Sequence, residues 1–280
     1  MTLPSRALAL PVLAVALAAV PAEAGPRDFA IYVTRLGGDP EAAQPYIEKF
    51  LAYLEQAIGW PRGSASGKFL TTRKEALAYI DSAAPGLGLL EPSLYLELRR
   101  SHGLEPLVQV VSKDLVSERL HLVVKDPSIR TLSDLKGKRL WTTLADAPVY
   151  LSRIVLDGRV DAASHFELKA IGQAMKGVRG VLRGEADATL LDEEQLRAAQ
   201  KLDGGAQLRS VYDSQPLPPM PVVAFGKSLK EEERRRLARA LLEMCGTPKG
   251  AEVCREMHIT RFAPVQGQAF LAAQKRYEQK

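Results

Sequence analysis

Cysteine is nearly absent: the 280 residues hold two, Cys245 and Cys254. Neither stands in a CxxC or metal-ligand spacing, so no thiol-exchange motif and no zinc framework is written here. Histidine is almost as scarce, at four scattered positions. There is no HExxH helix, no nucleophile–base constellation and no glycine loop placed to cradle phosphate after a strand. The segment GSASG at 63–67 resembles a nucleophile elbow only in outline. Its central residue is Ala65 and no apolar strand precedes it, so it reads as a flexible surface loop. These absences argue against an enzyme and call for no cofactor. A basic stripe with interleaved aromatics is also missing, which argues against nucleic acid as a partner. The run from Lys230 to Arg236 mixes both signs, as a solvated helix start does.

What is present is ordinary globular composition, 46% hydrophobic and 25% charged, in a chain long enough for two smaller domains. Residues 1–24 read as a targeting segment. Arg6 gives a weak positive start, 7–20 is an apolar run too short to span a bilayer comfortably, and Ala22-Glu23-Ala24 is a small-x-small cleavage site. Cleavage near Ala24 would leave an exported, soluble chain with the formal charge still +5, because Arg6 and Glu23 cancel. Export permits a disulfide between Cys245 and Cys254. The intervening GTPKG reads as one helix end and the next helix start, which leaves a bonded pair and two buried free thiols both open.

The stretch TLSDLKGKRLWTT at 131–143 organises the rest. It reads as a short capped helix, a left-handed Gly137, a strand, and then a helix opening with Asp146 as cap and Pro148 in the first turn. A strand feeding a helix start puts backbone N–H groups at the carboxyl edge of a sheet, where open α/β sheets bind ligands. Before it, FAIYV at 29–33 reads as a strand, and 40–58 as a helix with a stripe through Tyr46, Ile47, Phe50, Leu51, Leu54 and Ile58. Further strands fall at 86–90, 107–111, 119–125, 166–171, 189–191, 208–212 and 222–225, with helices between them. The chain therefore reads as α/β, in two lobes that it crosses between twice, near 119–125 and through the proline-rich 213–221. The expected parts are 25–118 for lobe I, 119–212 for lobe II, and 213–280 returning to lobe I with the terminal helices. That topology leaves a ligand cleft between lobes on two hinges.

Several segments together resemble one family. LSDLKGKRL at 132–140 resembles the start of the second lobe in bacterial type 2 periplasmic binding proteins, and GEADATLLD at 184–192 resembles their later strand. His165-Phe166, the tail from Met257 to Val265, and Glu91-Pro92-Ser93-Leu94-Tyr95 are similar to the phosphonate/phosphate-type (PhnD-like) branch, the solute-binding components of ABC importers. The resemblance covers essentially the whole chain after 24. It implies a monomeric periplasmic protein whose partners are a small-molecule solute and an inner-membrane ABC permease. By the same resemblance, ligand contacts fall at Tyr95, His165, Asp192 and a hydroxyl cluster at a second-lobe helix N-terminus. Thr34 past the first strand, Glu91, and Tyr150 in the second-lobe helix complete the candidate set.

The hydroxyl cluster is where this chain departs. Its place reads Asp146-Ala147-Pro148, with Thr142 and Thr143 just upstream. A helix N-terminus suits an anion, but Asp146 would already supply one and Pro148 removes a donor N–H. Phosphate and alkylphosphonates are therefore expected to bind poorly, and a neutral or amine-bearing polar solute to fit better if Glu91, Asp146 and Asp192 face the cleft. The alternative within the same fold is a periplasmic sensing module that presents its state to a kinase rather than a permease.

Overall fold

The structure, a computed structural model, describes residues 27–33, 40–112, 118–226 and 228–279. The leader expected at 1–24 and the candidate Thr34 lie outside the described residues. Among those described, no helix is long and apolar enough to cross a membrane.

The first sheet starts with β1 (Asp28–Tyr32), which is buried along almost its whole length. It runs parallel to β2 (Ser66–Leu70) on one side and β3 (Leu87–Leu90) on the other. A central parallel strand is covered on both faces, which is why it reads as a continuous apolar run. Helix α1 (Pro40–Ile58) lays Ile47, Phe50, Leu51, Leu54 and Ile58 of the predicted stripe into the core, but Tyr46, expected in the same stripe, stands exposed. Residues 63–65 form the loop expected there, but strand β2 corrects the reading at 66–67. It is an edge strand with only Phe69 and Leu70 buried, so its sequence carries no strand-like alternation. Pairing with β1 decides it, and Gly67 lets α1 come close: a Cβ there would lie 2.7 Å from the Ile47 side chain. Helix α2 (Arg73–Ala83) opens on a reciprocal cap in which the Glu75 N–H donates to the Thr72 hydroxyl and the Thr72 N–H to the Glu75 carboxylate, each at 3.2 Å. Helix α3 (Pro92–Leu98) and β4 (Glu105–Val111) complete the outgoing half.

The second sheet begins at β5 (His121–Val124). A single 3-10 turn, Leu132–Leu135, is capped reciprocally by Thr131 and Asp134, and Gly137 at φ 72° turns the chain into β6 (Lys138–Thr142). Helix α4 (Pro148–Tyr150) widens into a π-type turn over Leu151–Val155. The Ser152 hydroxyl donates to Pro148 O at 2.7 Å and accepts from Ala162 N at 2.8 Å. Then come α5 (Ala162–His165), β7 (Phe166–Ala170), α6 (Ala174–Leu182), β8 (Ala188–Leu191), α7 (Glu193–Gln200) and β9 (Arg209–Asp213). The strand order is β7-β6-β8-β5-β9, with β6 parallel to both β7 and β8. Helix α6 packs close because Gly180 faces Trp141, whose ring would lie 2.7 Å from a Cβ at that position. Trp141 is thus a packing residue.

The chain returns through β10 (Pro221–Ala224), α8 (Glu231–Met244), α9 (Pro248–Glu256), β11 (Arg261–Ala263) and α10 (Gly267–Glu278). The first sheet is then ordered β11-β4-β10-β3-β1-β2. Cys245 and Cys254 are bonded, joining the end of α8 to α9 with their Cα atoms 5.6 Å apart. Of the two alternatives left open by the sequence, the bonded pair is the one found.

Two crossings join the sheets, between β4 and β5 and between β9 and β10, and they hold each other. Leu120 N donates to Ser214 Oγ and Ser214 N to Leu120 O, both at 2.9 Å, and Leu217 N donates to Glu118 O at 2.8 Å. His121, at the head of β5, sets Nδ1 2.7 Å from Asp213 at the end of β9 and Nε2 3.0 Å from Glu193 at the head of α7. Helix α10 is a third link. It packs Phe270 against Tyr95 of α3, while Arg276 reaches Asp157 at 3.1 Å and Arg153 donates to Tyr277 O at 2.5 Å.

Candidate functional site

The carboxyl ends of the parallel strands in both sheets meet at one cavity of about 310 Å³. From the first lobe it is lined by Glu91, Pro92 and Ser93, which follow β3, by Val110 of β4 and by Ser112 just after it. From the second lobe come Thr142 at the end of β6 with Thr143 and Leu144 after it, Gly172 to Met175 after β7, and Asp192 after β8, with Gln195 and Tyr150. The crossings close it, through Glu118 and Leu120 on one and residues 217–220 on the other. The cavity is therefore built where a parallel sheet leaves strand ends and helix starts unpaired, once from each lobe.

The structure gathers five sequence-predicted residues there: Glu91, Thr142, Thr143, Tyr150 and Asp192. Thr142 is fully buried and its hydroxyl accepts from Leu144 N at 3.2 Å, which shapes the turn after β6. Asp192 caps α7: its carboxylate accepts from Gln195 N at 2.8 Å, while Asp192 N donates to the Gln195 carboxamide oxygen at 3.0 Å.

Three others are placed elsewhere. Tyr95 is 0% exposed in the core, its ring edge-on to Phe270 and its hydroxyl accepting from Gln274 Nε2 at 2.9 Å. One turn along α3 from Glu91, it points inward to α10, and burial pushes its hydroxyl above the usual phenol range. His165 sits at the opposite edge of the second sheet, where β6 and β7 begin. Its Nε2 meets Leu132 O at 3.0 Å, its ring lies against Phe166, and its carbonyl accepts from Gly137 N at 2.7 Å. It ties the turn before β6 to β7. Asp146 is exposed, does not line the cavity, and does not cap α4, whose N-cap is Ala147 without a side-chain bond. The turn from Thr143 to Ala147 closes through Ala147 N to Leu144 O at 3.0 Å, so the helix starts one residue later than an Asp146 cap requires. Asp146 still acts from nearby: burial first, then Glu91 and Asp146, raise the Tyr32 hydroxyl well above the usual phenol range against the opposing pull of Arg73.

Sequence reasoning missed Ser93, Ser112, Glu118, Gln173, Met175 and Gln195, all on the cavity wall. Gln195 had a readable signal, since Asp-x-x-Gln before a helical run is a capping box. Glu118 and Ser112 had none, because only the crossings bring them to the strand ends. Among the described lining residues, Glu91, Glu118 and Asp192 carry carboxylates and none is Lys, Arg or His. Among the described residues, no cluster of His, Cys, Asp and Glu could hold a metal ion.

The fold has solved counterparts. XAC2383 from Xanthomonas citri bound to chloride ion is 15% identical with a TM-score of 0.72, over 90% of this chain and 98% of that one. A binding protein component of an ABC phosphonate transporter, PA3383 from Pseudomonas aeruginosa, is 16% identical at 0.63, over 91% and 88%. PhnD1 from Prochlorococcus marinus in complex with methylphosphonate is 13% identical at 0.61, over 90% and 97%. At these identities the likeness is one of fold. No curated protein matches the chain in sequence. The family model described as "ABC transporter, phosphonate, periplasmic substrate-binding protein" matches residues 38–270. A match of that extent, on a two-lobed α/β frame with its cavity between the lobes, makes the chain a member of the periplasmic substrate-binding protein family of ABC phosphonate transporters.

Proposed function

We propose that this protein binds a small neutral or amine-bearing polar solute in the inter-lobe cavity and hands it to an ABC permease, rather than a phosphonate dianion. The observation that carries the reading is the cavity wall, with three carboxylates and no described cationic side chain. A dianion about 4 Å from the Asp192 carboxylate meets repulsion of about 4 kcal/mol per charge pair at an effective dielectric of about 20. An ammonium group gains from the same field, and the hydroxyls of Ser93, Ser112, Thr142 and Thr143 serve a neutral polar group equally well. Asp146 stands off the cavity, so Glu91, Glu118 and Asp192 are the carboxylates that disfavour phosphonates. The volume of about 310 Å³ lies at the small end of ligand sites and suits a solute of metabolite size.

Binding acts through the crossings. A solute that touches both walls favours the closed arrangement by the difference in its contacts between open and closed states. Native mass spectrometry of the protein purified from its host without dialysis tests the reading. A co-purifying nitrogen-containing or uncharged mass is expected; a phosphate or phosphonate mass contradicts it.

A further inference from the structure

The residues that cap α7 leave half of their hydrogen-bonding capacity to the cavity. Gln195 N uses Asp192 Oδ1, and Asp192 N uses the Gln195 carboxamide oxygen. The second bond sets the amide's orientation by chemistry: a backbone N–H requires an acceptor, so the oxygen turns inward and the NH2 outward. Neither Asp192 Oδ2 nor Gln195 Nε2 takes a further bond among the described residues, and both residues line the cavity. One helical turn on the cavity wall therefore carries both an unused acceptor and an unused two-proton donor.

We infer that Gln195 is a specificity-determining residue that, together with Asp192, reads a carboxamide or lactam edge on the ligand. The ligand N–H donates to Asp192 Oδ2 and the ligand carbonyl accepts from Gln195 Nε2. A lone ammonium satisfies Asp192 but gives Gln195 no acceptor. A carboxylate or phosphonate satisfies Gln195 but opposes Asp192. An amide edge answers both, and a polar group left without its partner in a closed site is what makes such a pair selective. Met175, Leu190, Leu217 and Met220 on the same cavity suit an apolar body behind that edge. The inference rests on the reading of the cavity as one for neutral or amine-bearing solutes, and it narrows that reading to one functional group.

Gln195→Glu tests it without removing the cap, because a glutamate oxygen still accepts from Asp192 N while the second oxygen replaces the donor NH2. Calorimetry on the full chain uses nicotinamide as the amide probe, 3-(aminomethyl)pyridine as its amine counterpart, and methylphosphonate. The wild type is expected to bind nicotinamide, and Gln195→Glu to bind it at least about tenfold more weakly while holding the amine as well or better. Retained amine binding shows that the variant's site is intact. Nicotinamide binding equally to both proteins, or not to the wild type, overturns the inference. If the amine alone binds the wild type, this inference falls and the acidic-cavity reading stands; if methylphosphonate alone binds, both fall.

Discussion

The two lobes share an architecture and are held together by different chemistry. The first lobe is tied by apolar packing and a covalent bond: α1 and α8 bury Phe50, Leu54, Leu237 and Leu241 against its sheet, and Cys245–Cys254 fastens α8 to α9. The second has shorter helices and is tied at its turns by carboxylates. Asp134 accepts from the backbone N–H groups of Arg130 and Thr131, Asp161 from Ser164 N, and Asp126 from Ser128 N. Asp187 accepts from Arg139 N at 2.8 Å, Nε at 3.0 Å and Nη2 at 3.0 Å, pinning β6 beside β8. Hydrogen bonds from Ser210 and then His121 hold Asp213 at the hinge. All five carboxyls are held below the usual aspartate range by these bonds. In the first lobe, the Glu75 carboxyl is lowered in the same way, by its bonds to Thr71 and Thr72. The second lobe, which supplies more of the described cavity wall than the first, thus has more of its turns held by carboxylates; in the first lobe Glu55 does the same for one turn, accepting from Gly63 N and Ala65 N at 2.8 Å.

Acid should separate the lobes most strongly. A carboxyl whose folded pKa lies below its unfolded value contributes stability that is complete above the unfolded pKa, near 4 for aspartate. That contribution disappears as pH falls through the folded value. Below about pH 4, hydrogen exchange is therefore expected to accelerate in β6, β8 and the turns around 126–137 before it does in α1 and α8. Simultaneous loss in both lobes would break the comparison. Next in size is the disulfide. Replacing both cysteines by serine frees a link of sequence separation 9 and should cost about 2.5 kcal/mol in urea unfolding, read in α8 and α9 and not in the second sheet. Asp187→Asn should cost about 2 kcal/mol by the same measurement, with lost protection confined to β6 and β8. Smallest is Thr72→Ala, at about 1 kcal/mol, fraying the start of α2 and leaving the second lobe unchanged.

What could be read beforehand follows the range over which each signal acts. The α1 boundaries, the left-handed Gly137 and the cap at Asp192 were legible because each is fixed by neighbours within one or two turns. Strand β2 was not, since only β1 and the close approach at Gly67 make it a strand. The site divides the same way. Glu91 and Asp192 stand immediately after apolar strands, where periodicity alone points to a sheet edge. Tyr95 and His165 carry functional-looking chemistry, yet α10 claims one and the Leu132 carbonyl the other, and neither contact shows in local sequence. Asp146 was misplaced by a single residue of helix start, enough to move its carboxylate off the cavity. Glu118 and Ser112 reach the wall only through the crossings, which no short-range pattern encodes.

Titration of methylphosphonate into the full-length protein by calorimetry asks whether the carboxylate-lined cavity refuses the family's own class of anion. No saturable heat is expected at millimolar ligand; a single-site isotherm with a micromolar Kd would show that the cavity takes phosphonates after all.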